Sequence, residues 1–237
     1  MPRTARQIAD ELLSLHDDLP EIRVPEDHYQ AAELAYAWYA RTWHTTKALL
    51  LLHDHGFDPE AAPMRRTLIE HALALAWIGD SPDAAYDAHV AAHRYEVEKL
   101  AKKPGSSTAV PRETLDALLA LELDGGPEAN LVHTYDLAAK YGPEGAYTGW
   151  WAETGGSHPS WRSASPYRTG REGQHLLDEV MPVLWFALAT AGMSKILEGD
   201  PWAVTVERCN ADLVEPLQEA KAAEVTWQAA REGQSRA

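Results

Sequence analysis

A proline with an acidic residue beside it is a common signal for the start of a helix, and three such signals in the first 83 residues each precede a long stretch with helical periodicity. The three copies are Pro25-Glu26-Asp27, Asp58-Pro59-Glu60 and Ser81-Pro82-Asp83. Proline suits the first turn, and acidic side chains there are stabilised by the helix dipole. Apolar residues follow each signal at helical spacing. The signals predict three neighbouring long helices, over residues 27–55, 59–78 and 81–103.

The rest of the chain shows further helix signals and no alternating pattern typical of strands. Residues 142–171 are rich in glycine, serine and proline, so we expect a mostly irregular loop with one turn near 147–151. The predicted fold class is all-α, a bundle of about seven helices with that one long loop. We treat residues 1–237 as a single α-helical domain, with 1–24 as an N-terminal appendage and 229–237 as a polar tail. The other predicted helices cover residues 5–18, 111–123, 128–141 and 171–198, and a last one runs from Asp200-Pro201 with a bend at Pro216.

The first long helix carries an apolar residue every seven positions, which predicts an aromatic stripe facing the core. Gly56 is the predicted C-cap of this helix, and Asp58 is the predicted N-cap of the next one. The residues of the stripe are Tyr29, Tyr36, Trp43 and Leu50.

Charge and cysteine content narrow the classes of function. The chain has 21 Lys and Arg against 36 Asp and Glu, a net charge of −15, which argues against an extended DNA-binding face but leaves room for a local basic pocket. Cys209 is the only cysteine, so no internal disulfide can form, and we expect a cytoplasmic protein. The longest apolar run, 180–193, is too short to cross a membrane and is typical of a buried core helix.

The second long helix offers an arginine, a carboxylate and an imidazole within two turns: Arg66, Glu70 and His71. Arg66 and Glu70 are one turn apart and can pair on one face. Arg66 and His71 point about 140° apart, so another segment or a second subunit must complete any site that uses both. An intrahelical salt bridge beside a core histidine explains the same residues equally well.

Residues 154–171 contain no acidic residue, four basic or imidazole side chains and several hydroxyls, a composition that suits an anion-binding loop. A surface loop whose arginines pair with acidic helices is the alternative. We predict that Glu70 bridges Arg66 and the Ser157-His158 segment, because this loop is the best remaining partner for a partly buried carboxylate. The candidate ligand-binding residues are Ser157, Ser160, Trp161, Arg162, Arg168, Trp77 and Trp43.

His89, His93 and Glu96 share one helix face at a spacing that metal ligands can use. The neighbouring sequence has no His-Glu-x-x-His signature and no repeated Glu-x-x-His pair. We therefore expect neither a stoichiometric transition metal nor another cofactor.

Two short motifs carry a resemblance to a known group of proteins. Arg66-x-x-x-Glu70-His71, with Trp77 after it, is followed far downstream by Ser157-His158-Pro159-Ser160. Over roughly residues 28–170 the chain resembles an uncharacterised bacterial family of helical domains of unknown function that is common in actinobacteria. The resemblance implies a helical fold in which the two motifs approach each other.

The chain is also similar to the HEPN class of helical domains, many of which are metal-independent ribonucleases in toxin and defence systems. The signature of that class is an arginine, four to six residues, then a histidine. Arg66 and His71 match it with four intervening residues, and Arg65 and His71 match it with five. The class usually has Asn, Asp or His after the arginine, where this chain has Thr67. The resemblance implies RNA cleavage and a homodimer.

Three classes of function remain open from the sequence. The first is RNA cleavage, with Arg66, Glu70, His71 and His158 as the catalytic candidates. The second is binding or conversion of a small anionic or aromatic ligand in a pocket between helices lined by Trp, His and Arg. The third is a purely structural or interaction domain.

Overall fold

All regular structure in the described part of the chain is helical. A computed structural model describes residues 2–21, 23–101, 133–159 and 176–235, together with isolated positions between 111 and 164. Short 3₁₀ segments lie at Leu15–Glu21, Glu26–His28 and Pro59–Ala61. The α-helices are α1 (Ala5–Ser14), α2 (Tyr29–Asp54), α3 (Ala62–Asp80), α4 (Pro82–Ala101), α5 (Thr134–Tyr141), α6 (Ala146–Ser157), α7 (Leu176–Ile196), α8 (Ala203–Asp212) and α9 (Val214–Ser235).

The three long helices predicted from their start signals are confirmed as α2, α3 and α4. The prolines Pro25 and Pro59 each stand at the start of a short 3₁₀ turn that leads into the α-helix. Gly56 has a φ of 74°, the left-handed conformation that ends a helix, as predicted for a C-cap. The all-α fold class is likewise confirmed, since the described residues contain no β-strand.

Helices α3 and α7 form the centre of the bundle and make the most extensive contact in it. Their backbones touch where two glycines meet. A Cβ atom added to Gly192 would lie 2.2 Å from the carbonyl oxygen of Leu75, and one added to Gly79 would lie 2.4 Å from the carbonyl oxygen of Gly192. Around this contact, α2 and α6 pack on α3, and α1, α8 and α9 pack on α7. The absence of side chains at the two glycines therefore sets the distance between the central helices.

The prediction that residues 142–171 are mostly irregular was wrong for their first half, which forms α6. Helix α6 begins after Gly145, whose φ is 80°. The hydroxyls of Thr154 and Ser157 donate to carbonyls four residues earlier, at 2.9 and 2.7 Å. Glycine-rich sequence disfavours an isolated helix, but packing against α3 stabilises this one.

The predicted aromatic stripe on α2 was wrong at its first two positions. Tyr29 is 63% exposed and Tyr36 is 48% exposed. The face of α2 that is buried instead carries mostly small residues, which allow close approach to neighbouring helices and leave little room for large rings. Its residues are Ala31, Ala32, Ala35, Tyr39, Thr42, Thr46, Leu49, Leu50 and His53.

The C-terminal region also differs from its prediction. A single helix bent at Pro216 was expected, whereas α8 ends at Asp212 and α9 begins at Val214. Pro216 then lies in the first turn of α9, where its missing N–H leaves no intrahelical hydrogen bond unmade. Pro182, by contrast, lies inside the uninterrupted helix α7. None of the helices in the described ranges has both the length and the apolar character needed to span a bilayer.

Candidate functional site

The side chain of Arg66 lies between a carboxylate and an imidazole. Its Nε is 3.0 Å from Oε1 of Glu70, one turn further along α3. Its Nη1 is 3.4 Å from Nε2 of His158, the residue that follows α6. Arg66 and Glu70 are half-buried, and His158 is exposed. The pairing of Arg66 with Glu70 that the helical spacing allowed is therefore present, and the guanidinium remains accessible from solvent.

Trp150 of α6 completes the site. Its indole Nε1 donates to the same Glu70 oxygen at 2.8 Å, and the Arg66 guanidinium lies 5.4 Å from the centre of its ring. Helix α6 thus contributes both Trp150 and His158, because its packing on α3 places them against Arg66. We call Arg66, Glu70, Trp150 and His158 the Arg66 cluster.

The sequence had suggested that Glu70 bridges the two motifs. In the structure the bridging group is Arg66. Glu70 Oε1 accepts from Arg66 and from Trp150, whereas His158 contacts the arginine. The reason is that guanidinium carries several N–H donors and can reach two acceptors at once. Ser157 takes no part in the bridge, since its hydroxyl donates to the carbonyl of Glu153 inside α6.

His71 lies apart from Arg66 on α3, as their angular separation predicted. Its Nδ1 donates to the carbonyl of Thr67 at 2.8 Å, and its ring meets the edge of Trp38 at 6.3 Å. Burial lowers the pKa of His71, and the positive charge of Arg41 acts in the same direction. No contact within the described residues joins His71 to the Arg66 cluster, although Glu70 influences it electrostatically.

The other predicted site residues fall into two groups. Trp43 donates its indole N–H to the carbonyl of Leu13 at 2.9 Å and stacks on His16, and Trp77 is fully buried in the core. Neither ring belongs to the Arg66 cluster, so the tryptophans do not line one shared pocket. The remaining candidates lie outside the described residues: Ser160, Trp161, Arg162 and Arg168.

Arg65, next to Arg66, forms a buried ion network that sequence reasoning missed. Its side chain is 12% exposed and lies 3.0 Å from Glu153 and 3.6 Å from Asp178. These contacts join α3 to α6 and α7, so they hold α6 in place beneath the Arg66 cluster. Adjacent helical residues point about 100° apart. Two neighbouring arginines on one helix therefore point in different directions. This pair was the signal in the sequence from which an inward-facing arginine could have been predicted.

Asp58 belongs to the same network and does not act as the predicted N-cap. Its side chain makes no capping hydrogen bond. Instead its Oδ1 accepts from His53 Nδ1 at 3.0 Å, while its carbonyl accepts from Arg65 at 2.9 Å. Burial raises the pKa of the Asp58 carboxyl, and the nearby negative charge of Asp178 raises it further.

A second region of chemical interest is a cleft of about 570 Å³ between α2 and α4. The His89 ring lies 4.6 Å from Trp38 and 5.4 Å from Trp77, and its buried Nε2 has no hydrogen-bond partner among the described residues. Burial lowers the pKa of His89 to about 4, so its imidazole is neutral at pH 7. Within the described ranges, no three His, Cys, Asp or Glu residues are placed to hold a metal ion. The cleft is lined by Leu34, Trp38, Tyr86, His89, Val90, Ala92, His93 and Glu96.

Comparison with known proteins identifies one family. The model of DUF5677, described as a family of unknown function, matches residues 32–175. This range is more than half of the chain and includes most of α2 and all of α3 and α6 with the whole Arg66 cluster. No curated protein matches the chain, and no solved structure matches it. The chain belongs to the DUF5677 family of unknown function.

Proposed function

We propose that this protein cleaves RNA without a metal ion, at the Arg66 cluster. The observation that carries the proposal is the 3.4 Å contact between Arg66 Nη1 and His158 Nε2. A guanidinium nitrogen can only donate, so the Nε2 lone pair of His158 accepts from Arg66 in the free protein. His158 becomes available as a base when a bound phosphate draws the guanidinium away and the ribose hydroxyl takes its place at Nε2. A general base that takes the proton of the hydroxyl and a cation that stabilises the developing charge both accelerate phosphodiester cleavage by an internal hydroxyl.

Each member of the cluster has a role in this reaction. His158 takes the proton of the ribose 2′-hydroxyl, whose oxygen then attacks the adjacent phosphorus. Arg66 stabilises the negative charge that develops on the phosphorane oxygens. The bond from phosphorus to the 5′-oxygen breaks, and that oxygen takes a proton from water, which leaves a 2′,3′-cyclic phosphate and a 5′-hydroxyl. The hydroxide formed from that water takes the proton held by His158, so the imidazole returns to its starting state. Glu70 and Trp150 are positioning residues, since they hold the guanidinium through the contacts at 3.0 and 5.4 Å.

The proposal uses a different histidine from the one that the HEPN resemblance implies. The Arg-x₄-His spacing assigns the imidazole to His71, but His71 donates to the carbonyl of Thr67 and contacts Trp38. His158 supplies the imidazole from the same chain. A homodimer is therefore not needed to bring Arg66 and a histidine together.

The test is cleavage of a fluorescent single-stranded RNA in the presence of a chelator. We expect the wild-type chain to cleave it, and we expect His158→Ala and Arg66→Ala each to lower the rate by about 100-fold or more. His93→Ala, an exposed histidine outside the cluster, is the matched control and should cleave normally. Circular dichroism and urea unfolding establish that each variant folds.

A wild-type chain that leaves the RNA intact would contradict the proposal, and so would either of two further results. If the chelator abolishes activity and a divalent metal ion restores it, the cleavage depends on a metal ion. Full activity of His158→Ala together with inactivity of a folded His71→Ala variant would favour the HEPN-type assignment over the Arg66 cluster.

The cleft between α2 and α4 supports a second candidate function, the binding of a small aromatic ligand. Its volume of about 570 Å³ lies in the range of ligand pockets, and the rings of Trp38 and Tyr86 line it. The neutral ring of His89 adds a nitrogen that has no partner in the described residues. A screen of small aromatic compounds by thermal shift tests this candidate. The shift should disappear in Tyr86→Ala and persist in Arg66→Ala.

A further inference from the structure

A continuous row of aromatic rings leads away from the Arg66 cluster along α6 and α5. The Tyr147 ring stacks on Trp150 with 5.5 Å between centroids and 26° between planes. The Tyr135 ring of α5 then meets Tyr147 edge-on at 5.0 Å. Because Trp150 also contacts the Arg66 guanidinium, the row begins at the site of the proposed chemistry. We call Trp150, Tyr147 and Tyr135 the aromatic row.

The outer members of the row are open to solvent. Tyr135 is 61% exposed and Tyr147 is 38% exposed, although both are large rings. Trp151, the neighbour of Trp150 on α6, is also exposed. Exposed rings that are ordered by contact with one another provide surfaces on which a planar ligand can stack at little entropic cost.

We infer that the aromatic row binds the unpaired bases of a single-stranded RNA whose scissile phosphate lies at the Arg66 cluster; this inference rests on the proposed function. Unpaired bases stack on aromatic side chains and on arginine, and the aromatic row offers the first kind of surface while the Arg66 guanidinium at its inner end offers the second. Bases in a duplex are already paired and stacked, so they cannot lie on these rings.

The negative charge of the protein restricts the ways in which it can bind RNA. A chain with a net charge of −15 gains little from general attraction of phosphates, so its affinity for RNA must come from local contacts. Stacking of a base on an aromatic ring is such a contact, and Arg66 supplies a positive charge at the inner end of the row.

The experiment measures binding separately from cleavage. A chain carrying His158→Ala, which leaves the row intact, is titrated against a fluorescent eight-nucleotide single-stranded RNA and against a duplex of the same sequence. We expect the single strand to bind at least tenfold more tightly than the duplex. Adding Tyr135→Ala or Tyr147→Ala should weaken binding of the single strand by roughly tenfold. Tyr29→Ala removes an equally exposed tyrosine, 63% against 61%, from α2 and should not change the affinity.

The outcomes distinguish this inference from the proposed function. If the wild-type chain cleaves RNA but the Tyr135 and Tyr147 variants bind it as tightly as the Tyr29 control, the inference is wrong and the proposed function stands. If the wild-type chain does not cleave RNA but the two variants bind it more weakly, the proposed function is wrong and the binding surface stands. No binding of the single strand, or equal binding of the duplex, overturns the inference.

Discussion

Arg66 Nη1 lies 3.4 Å from His158 Nε2, although the two residues are 92 positions apart in the chain. The contact depends on α6, which packs on α3 and ends at Ser157, so that His158 directly follows its last turn. The buried contact between Arg65 and Glu153 fixes α6 on the same side of α3. Arg65 thus makes a buried contact that supports the fold, and its neighbour Arg66 makes a contact that is accessible to solvent.

Replacing Arg66 with lysine should abolish the proposed activity with little effect on folding. Lysine keeps the positive charge but lacks the planar fork that reaches Glu70 and His158 together. We expect a rate at least 100-fold lower. Because the side chain of Arg66 is half-exposed, the free energy of unfolding should change by less than about 1 kcal/mol. Rate constants and urea unfolding curves measure the two effects, and a rate within threefold of wild type would contradict the prediction.

Replacing Arg65 with methionine should destabilise the fold strongly. The change would leave Glu153 and Asp178, both largely buried, without their cation. Breaking a buried ion pair on one side typically costs about 3–5 kcal/mol. Lys99→Ala, which breaks an exposed pair with Glu96, is the control and should cost less than about 1 kcal/mol. Equal unfolding midpoints for the two variants would show that the Arg65 network contributes nothing to stability.

Alanine substitutions at two helical glycines should have opposite effects. In Gly192→Ala the new methyl group would collide with the Leu75 carbonyl, 2.2 Å away, and we expect a loss of about 3 kcal/mol or more. In Gly149→Ala the methyl group would meet no atom within 4 Å, and the higher helix propensity of alanine should stabilise the protein by up to about 1 kcal/mol. Thermal and urea unfolding measure both changes. A Gly192→Ala variant as stable as wild type would argue against the close backbone contact of α3 and α7.

His89 should make the stability of the protein depend on pH. Burial lowers the pKa of His89 in the folded chain to about 4, against an ordinary value of 6.5. Between these pH values the unfolded chain binds a proton at His89 that the folded chain does not. The free energy of unfolding should therefore fall as the pH decreases from 6.5 towards 4, by about 3 kcal/mol for this residue.

Two substitutions isolate this contribution. His89→Phe keeps a ring against Trp38 and Trp77 but cannot be protonated, so its stability should fall much less between pH 7 and pH 4.5 than that of the wild type. His93→Phe, at an exposed position, should keep the wild-type pH dependence. Urea unfolding at the two pH values provides the measurement. If the free energy of unfolding falls equally between them for the wild type and for His89→Phe, the proposed role of burial is ruled out.

The parts of the structure that were predicted correctly depend on local interactions. Helices α2, α3 and α4 follow from proline and acidic start signals, because the groups that stabilise a helix end lie within a few residues of it. The pairing of Arg66 with Glu70 follows in the same way, since residues four apart face each other on any helix. The approach of the two motifs to each other, by contrast, was expected from the family resemblance.

The sequence by itself therefore determined where the long helices lie and that Arg66 and Glu70 form a pair. Only the tertiary structure decided that a glycine-rich segment becomes α6, that Arg65 faces inward while Arg66 faces the site, and that Tyr29 and Tyr36 stay exposed. The physical reason is that burial and ion pairing depend on which helices come together. The contact of α3 with α6 and α7 supplies the stabilisation that local propensity does not, and it joins residues that are far apart in the chain.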